Sequence, residues 1–245
     1  MIDFQTHFVF PTHAVPLAGR IPPDAEEWQL RTPDRATLKG VHFKPAEPSS
    51  ELVLGFGGNG WNGQDVGAYL HEVYPRAHVV VFHYRGYAPS TGTPSAEALI
   101  ADAPLVYDFA VDKLAPTKVF AAGFSIGSGI ACELATIRKL KGIVLVTPFD
   151  SLKAVAQSFY PWLPISALFA HEVAAADALE KAKVPAAIIA AERDEIVAIE
   201  RTDALRQRAP KLVFDTTIAR AGHNDIYARS DFQDAMREAL VALGG

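Results

Sequence analysis

Short runs of hydrophobic residues alternate along this chain with longer stretches in which apolar residues return every three or four positions. The short runs predict strands and the longer stretches predict helices. The predicted strands are 27–32, 37–44, 52–56, 79–84, 118–122, 142–146, 186–191 and 212–217. The predicted helices are 65–73, 95–114, 126–139, 199–208 and 230–243.

The order of these elements indicates the fold class. The first two strands are separated only by the turn sequence at 33–36, which predicts an antiparallel pair. Later strands are separated by helices, which favours right-handed crossovers and parallel pairing. We therefore predict an α/β protein with a mostly parallel sheet covered by helices on both faces. The stretch 10–23 reads as an extended, loop-like arm.

The alternation stops between positions 148 and 182. This segment holds seven large apolar side chains around two prolines: Phe159, Tyr160, Trp162, Leu163, Ile165, Leu168 and Phe169 around Pro161 and Pro164. Two interpretations are equally open. The segment is either a small cap that lines a substrate pocket, or an ordinary crossover packed by aromatic residues.

Length and composition narrow the function classes. With 245 residues, 49% of them hydrophobic, the chain can bury one large core, and we expect a single domain over 1–245. The net charge of −5 and the scattered basic residues disfavour binding of nucleic acid. The single cysteine, Cys132, excludes an intramolecular disulfide framework and is expected in the core.

No stretch has the apolar length of a transmembrane helix, and the first residues lack the basic and apolar regions of a signal peptide. We therefore expect no integral membrane segment and a cytoplasmic location. Neither a His-Glu-x-x-His motif nor a Cys/His cluster is present, so no metal and no cofactor are predicted.

The pentapeptide Gly123-Phe124-Ser125-Ile126-Gly127 lies where an apolar strand gives way to a helix. A serine in such a turn is held up for attack, and the turn is so tight that positions two before and two after it must lack bulky side chains. The N-terminus of the following helix favours an oxyanion beside the serine. Ser125 is therefore a candidate nucleophile.

A candidate acid and a candidate base follow in the order that this turn requires. Asp194 comes just after the strand at 186–191, and His223 comes just after the strand at 212–217. Parallel strands end at one edge of a sheet, so both should converge on Ser125. Four rival acids remain open: Glu192, Glu195, Asp150 and Asp177. Among them Asp150 is the principal alternative, because it follows the strand after Ser125.

The glycine-rich loop at 57–63 follows the strand at 52–56. In it we expect a second N–H donor for the oxyanion besides that of Ile126, with Gly60 as first candidate and Asn59 as second. A phosphate-binding loop is disfavoured, since the Gly-Lys-Ser/Thr ending is absent. Four aromatic residues are candidates for substrate binding: Trp61, Phe159, Trp162 and Phe169.

These motifs together resemble the α/β-hydrolase superfamily, in which the order is Ser, acid, His. The similarity is greatest to the serine-aminopeptidase-like (abhydrolase domain) group, which also includes membrane-tethered hydrolases of lipids and protein thioesters. The matching segments are Phe10-Pro11, Gly58-Asn59-Gly60, Tyr84-Arg85-Gly86-Tyr87 with Ser90 and Gly92, the turn at Ser125, Asp194-Glu195-Ile196-Val197, and Gly222-His223-Asn224-Asp225. The chain departs from the group at Gly57, where histidine is frequent, and at His83, where aspartate is frequent.

The resemblance implies Ser125 as nucleophile, Asp194 as acid, His223 as base, and Gly60 and Ile126 as oxyanion donors. The expected function is cleavage of a small-molecule carboxylic ester or thioester through an acyl-enzyme. A peptidase or amidase with the same residues, and a hydrolase-fold protein that only binds, are the alternatives. The sequence specifies neither the acyl and leaving groups nor the oligomeric state.

Overall fold

The computed structural model describes residues 4–159, 162 and 169–245. Within these ranges the strands are β1 (Ala25–Arg31), β2 (Thr37–Phe43), β3 (Glu51–Phe56), β4 (His78–Phe82), β5 (Lys118–Phe124), β6 (Gly142–Val146), β7 (Ala186–Ala191) and β8 (Leu212–Ile218). The α-helices are α1 (Phe4–Val9), α2 (Gly63–Val73), α3 (Ala96–Leu114), α4 (Ile126–Ala135), α5 (Leu152–Phe159), α6 (Ala175–Ala182), α7 (Ile199–Gln207) and α8 (Ser230–Ala242).

The strands form one sheet in the order β1-β2-β4-β3-β5-β6-β7-β8. β1 pairs antiparallel with β2, and β2 pairs antiparallel with β4. Every pair from β4 across to β8 is parallel. The predicted opening antiparallel pair and the predicted mostly parallel sheet are both confirmed.

Both faces of the sheet are buried, which explains why its central strands read as continuous apolar runs. In β3, Leu52 and Leu54 belong to the core that contains side chains of α3 and α4. Val53, between them, belongs to the opposite core with side chains of α2 and α8. Burying a side chain of this kind stabilises the fold by about 1.5 to 3 kcal/mol. The predicted covering of both faces is confirmed.

The parallel strands deliver their loops to one edge of the sheet. β5 ends directly before Ser125, while β3 ends before the glycine-rich loop at 57–63. β7 and β8 end shortly before Asp194 and His223 respectively. The candidate residues therefore approach one another because the strands that carry them run in the same direction.

Three of the helices within the described residues are absent from the sequence-based assignment. α1 has six residues, which is too short to show a helical period. α5 and α6 lie within 148–182, the segment of the two open interpretations. α6 packs against α4 as a crossover helix does. Six of the apolar and proline residues of this segment lie outside the described residues: Tyr160, Pro161, Leu163, Pro164, Ile165 and Leu168.

Candidate active site

Ser125 has a backbone conformation that residues with side chains rarely adopt. Its φ is 51° and its ψ is −117°. Such a conformation costs on the order of 1 to 3 kcal/mol and persists only where neighbouring contacts impose it. The N–H of Ser125 donates to the carbonyl of Val146 on β6 (2.9 Å), and the N–H of Ser128 donates to the carbonyl of Ser125 (2.9 Å). The serine is therefore fixed from both sides of the turn.

The two glycines of the pentapeptide allow this turn. A Cβ at Gly123 would overlap the carbonyl oxygen of Gly127, and a Cβ at Gly127 would overlap the carbonyl oxygen of Phe56. β5, α4 and the end of β3 thus meet backbone to backbone beneath the serine. The local geometry has the form that the sequence motif predicts.

Asp194 and His223 are in direct contact. Nδ1 of the imidazole lies 2.8 Å from Oδ2 of the carboxylate and 2.9 Å from Oδ1. Oδ1 also accepts the N–H groups of Ile196 (2.9 Å) and Val197 (2.6 Å). The side chains of His223 and Asp194 are 7% and 4% exposed. A buried carboxylate held in this way keeps the ring proton on Nδ1 and leaves Nε2 as an acceptor.

The rival acids have other partners. Glu192 accepts the backbone N–H of Arg220 (2.6 Å), and Asp150 pairs with Arg201 (3.3 Å). Asp177 binds Arg208. Glu195 accepts the backbone N–H of His223 (3.0 Å) and so holds its loop, not its ring. In the part of the chain that the structure describes, Asp194 is the acid that binds the imidazole.

Ser125 and His223 line one cavity of about 560 Å³. Gly58, Asn59, Gly60, Trp61 and Ile126 line it too. Most of the remaining wall is apolar, with Phe8 and Val9 of α1, Leu152, Val155 and Phe159 of α5, and Phe169. None of the described lining residues is Asp, Glu, Lys or Arg. The cavity is therefore suited to an uncharged, largely apolar group.

The glycine-rich loop approaches Ser125 through its first half. A Cβ added at Gly58 would lie 3.7 Å from Cβ of Ser125. A Cβ added at Gly60 would have no neighbouring atom within 4 Å. The hydroxyl of Tyr84 donates to the carbonyl of Gly57 (2.8 Å), and that of Tyr87 donates to the carbonyl of Asn59 (3.0 Å). The Tyr-Arg-Gly-Tyr stretch thus holds the loop beside the serine.

Three of the four aromatic candidates for substrate binding line the cavity: Trp61, Phe159 and Phe169. Trp162 does not, and this residue is 77% exposed. Sequence reasoning placed it in the pocket because the segment is aromatic as a whole. Without a helical period, the sequence does not show which side chains of the segment share a face, so individual residues cannot be assigned to the side that faces the pocket.

The contribution of α5 was missed although the sequence carries a signal for it. Leu152, Val155, Ala156 and Phe159 follow the i, i+3, i+4, i+7 pattern of one helical face, and all four line the cavity. The prolines and aromatic residues that follow this pattern obscure it, so the sequence analysis assigns no helix there. Within 148–182, α5 and Phe169 thus present apolar side chains to the cavity.

Comparison with known proteins places this geometry in a family. A family model described as the alpha/beta hydrolase fold matches residues 52–179, which is more than half of the chain. The chain belongs to the α/β-hydrolase fold family. An esterase of Pyrococcus furiosus matches the structure with a TM-score of 0.76 at 17% identity, over 94% of this chain and 97% of that one. An alpha-beta hydrolase of Vibrio vulnificus also has a TM-score of 0.76, at 17% identity, over 98% and 92% of the two chains.

Sequence relatives point to the same superfamily. An uncharacterised protein of Mycobacterium tuberculosis is 29% identical over 217 residues, covering 86% of this chain and 76% of that protein. A lysophosphatidylserine lipase of Danio rerio is 27% identical over 177 residues, covering 63% of this chain and 46% of the lipase. The matched region thus spans less than half of the lipase's length.

His83, which departs from the pattern of the related group, does not line the active-site cavity. It is 3% exposed, and its Nδ1 accepts the backbone N–H of Gly63 (3.1 Å) at the start of α2. Burial lowers the pKa of His83 to about 4, against the opposing effect of Asp65 and Glu27. The ring is therefore a neutral acceptor that fixes the start of α2.

This environment predicts a loss of stability in mild acid. The unfolded chain binds a proton at His83 near pH 6.5, whereas the folded chain does so only near pH 4, so stability falls as pH drops between these values. This group alone should cost on the order of 2 kcal/mol between pH 7.5 and pH 5. Urea unfolding at both pH values should show a smaller loss for His83→Gln than for the wild type. Equal losses would contradict this environment for His83.

Among the residues that the structure describes, no three His, Cys, Asp or Glu side chains are grouped so that they could hold a metal ion. Within the same residues, no helix is both long and apolar enough to cross a membrane.

Proposed function

We propose that this protein is a serine hydrolase of carboxylic esters or thioesters, with Ser125 as nucleophile, His223 as base and Asp194 as orienting acid. One observation carries the proposal. An apolar cavity is lined both by a serine in a strained strand-to-helix turn and by an imidazole whose Nδ1 is bound to a buried carboxylate. A serine hydroxyl alone is a weak nucleophile, and this is the combination that activates it.

The reaction follows from these groups. Oγ of Ser125 attacks the carbonyl carbon while Nε2 of His223 takes its proton, and Asp194 stabilises the imidazolium. The imidazolium then protonates the leaving alcohol or thiol, and an acyl-enzyme remains. A water molecule activated by the same imidazole attacks this ester and releases the acid and Ser125.

The tetrahedral intermediates need two N–H donors for their oxyanion. Ile126 supplies the first from the N-terminus of α4. For the second we propose Asn59 in place of Gly60. Gly58, which precedes Asn59, lies close to Ser125 and so supports this choice. Two hydrogen bonds also anchor Asn59: its side-chain amide donates to the carbonyl of Val9, and its backbone carbonyl accepts the hydroxyl of Tyr87. Removing one such donor typically costs about 10² to 10³ in kcat.

A peptidase or amidase with the same three residues is the second candidate. Amino-terminal peptidases bind a charged ammonium group, and that needs an acidic side chain in the pocket. The absence of Asp, Glu, Lys and Arg from the described cavity lining supports a neutral acyl group instead. The similarity in fold to the esterase of Pyrococcus furiosus and the similarity in sequence to the lipase of Danio rerio also support ester hydrolysis in general.

The cavity predicts a preference for acyl chains of short to medium length. Each buried methylene adds about 0.8 kcal/mol, or roughly fourfold in kcat/KM, until the pocket is full. In a series of p-nitrophenyl esters from acetate to palmitate, kcat/KM should therefore rise and then fall well before palmitate. A steady rise to palmitate would contradict this preference. Turnover of amino-acyl anilides without ester turnover would favour the peptidase.

A further inference from the structure

The N-terminal helix α1 forms part of the cavity wall, although no catalytic motif includes it. Phe8 and Val9 at its end line the cavity with Ser125 and His223. Phe8 is 53% exposed, so this residue borders both the cavity and solvent. A large side chain in that position limits how far an acyl chain can extend.

α1 is joined to the neighbouring part of the wall. Oγ1 of Thr6 lies 2.9 Å from Nε2 of His171. The backbone N–H of Ala170 donates to Oε1 of Gln5 (3.0 Å). Both partners follow Phe169 directly in the chain, and Phe169 also lines the cavity. The two segments therefore form one connected wall.

Phe10 anchors the end of the helix. Phe10 is 1% exposed, and its ring meets that of His171 edge to face with centroids 5.3 Å apart. The N–H of Phe10 donates to the carbonyl of Thr6 (2.8 Å). Because Phe10 is fixed in the core, the carbonyl group of Val9 beside it has a fixed position too.

That carbonyl group binds the glycine-rich loop. Nδ2 of Asn59 donates to the oxygen of Val9 (2.9 Å), across 50 positions of the chain. Asn59 follows Gly58, which lies close to Ser125 in space. The backbone carbonyl of Asn59 accepts the hydroxyl of Tyr87 (3.0 Å). The wall formed by α1 and the loop beside the nucleophile are thus joined by one side-chain amide.

We propose that α1 determines acyl specificity, with Phe8 closing the far end of the acyl pocket, and that the bond from Asn59 to Val9 positions the oxyanion loop. This inference rests on the proposed serine-hydrolase function. Phe8 contacts the acyl chain directly. The side chain of Asn59 acts through the backbone of its own loop and is a positioning group.

Phe8→Ala tests the pocket wall, with Ile137→Ala as the matched control. Ile137 is a large apolar residue of nearly equal exposure (52%) that does not line the cavity. In the p-nitrophenyl ester series, the optimum of Phe8→Ala should move to chains at least two carbons longer. Ile137→Ala should keep the wild-type optimum. An unchanged optimum in Phe8→Ala would overturn the role of Phe8.

A binding experiment separates this inference from the proposed function. In Ser125→Ala, straight-chain primary alcohols from butanol to dodecanol should displace a fluorescent apolar probe, and one chain length should bind most tightly. In the double variant that also carries Phe8→Ala, this optimum length should increase. If the wild type hydrolyses no ester but this shift occurs, the catalytic proposal fails and the pocket wall stands. If esters are hydrolysed but neither optimum moves, the pocket wall fails alone.

Asn59→Ala tests the positioning bond, because it removes the side-chain amide and keeps the backbone N–H. We expect kcat to fall at least tenfold with KM within about twofold and an unchanged melting temperature. The inhibition constant of an alkyl trifluoromethyl ketone, whose adduct with serine carries an oxyanion, should rise in parallel, while the affinity for decanol stays constant. An unchanged kcat, or a loss confined to the melting temperature, would overturn the positioning role.

Discussion

Ser125→Ala should abolish ester hydrolysis and leave the fold intact. Alanine keeps the Cβ that the turn already accommodates at φ 51° and removes only the oxygen that would form the acyl-enzyme. The oxyanion hole and substrate binding typically leave about 10³ to 10⁴ over the uncatalysed reaction, far below wild type. kcat on p-nitrophenyl butyrate, with circular dichroism to verify folding, measures the effect.

The control for this variant is Ser158→Ala. Ser158 is an exposed serine on α5 whose Oγ donates to the carbonyl of Ala154 in its own helix (3.0 Å), and it does not line the cavity. Its kcat should equal that of the wild type within about twofold. A folded Ser125→Ala variant that kept most of its esterase activity would remove Ser125 from the mechanism.

Asp194→Asn should lower kcat by about 10⁴, equivalent to roughly 5.5 kcal/mol. Oδ1 of the new amide can still accept the N–H groups of Ile196 and Val197, so the loop keeps its shape. The amide nitrogen then takes the place of Oδ2, which lies 2.8 Å from Nδ1 of His223. As a donor it forces the ring proton onto Nε2, and the imidazole can no longer accept the proton of Ser125.

The comparison variants are Asp150→Asn, Glu192→Gln and Glu195→Gln. Each replaced group binds a partner other than the imidazole, and each of the two Gln variants retains a carbonyl oxygen that can accept the same backbone N–H. The expected cost of each is under about 1 kcal/mol in kcat, as for a flanking surface acid. If Asp150→Asn were the crippling variant, the orienting acid would lie after β6.

Much of the architecture follows from local sequence signals. The apolar runs of β3 to β7 predict buried parallel strands because both sheet faces are covered. The turn at Ser125 is predictable because its steric demand for glycine lies within five residues. The pairing of Asp194 with His223 follows from the rule that parallel strands end at one edge, although 29 positions separate the two residues.

The remaining features depend on contacts that no local pattern records. α1 is held by His171 and Asn59, which lie 165 and 50 positions away, so its role in the cavity is visible only in three dimensions. Gly58, not Gly60, lies beside Ser125, because the hydroxyl groups of Tyr84 and Tyr87 hold the loop in that position. His83, where the chain departs from the related group, accepts a hydrogen bond from the start of α2 and does not line the active-site cavity.

The most direct test of the central claim is the reaction of the wild-type protein with a fluorophosphonate, followed by intact-mass measurement and peptide mapping. We expect one adduct per chain, located on Ser125, and none in Ser125→Ala. His223→Ala should react at least a hundredfold more slowly, because the hydroxyl then lacks its base. A wild-type protein that stays unlabelled, or that carries the adduct on another residue, would contradict the proposed serine-hydrolase function.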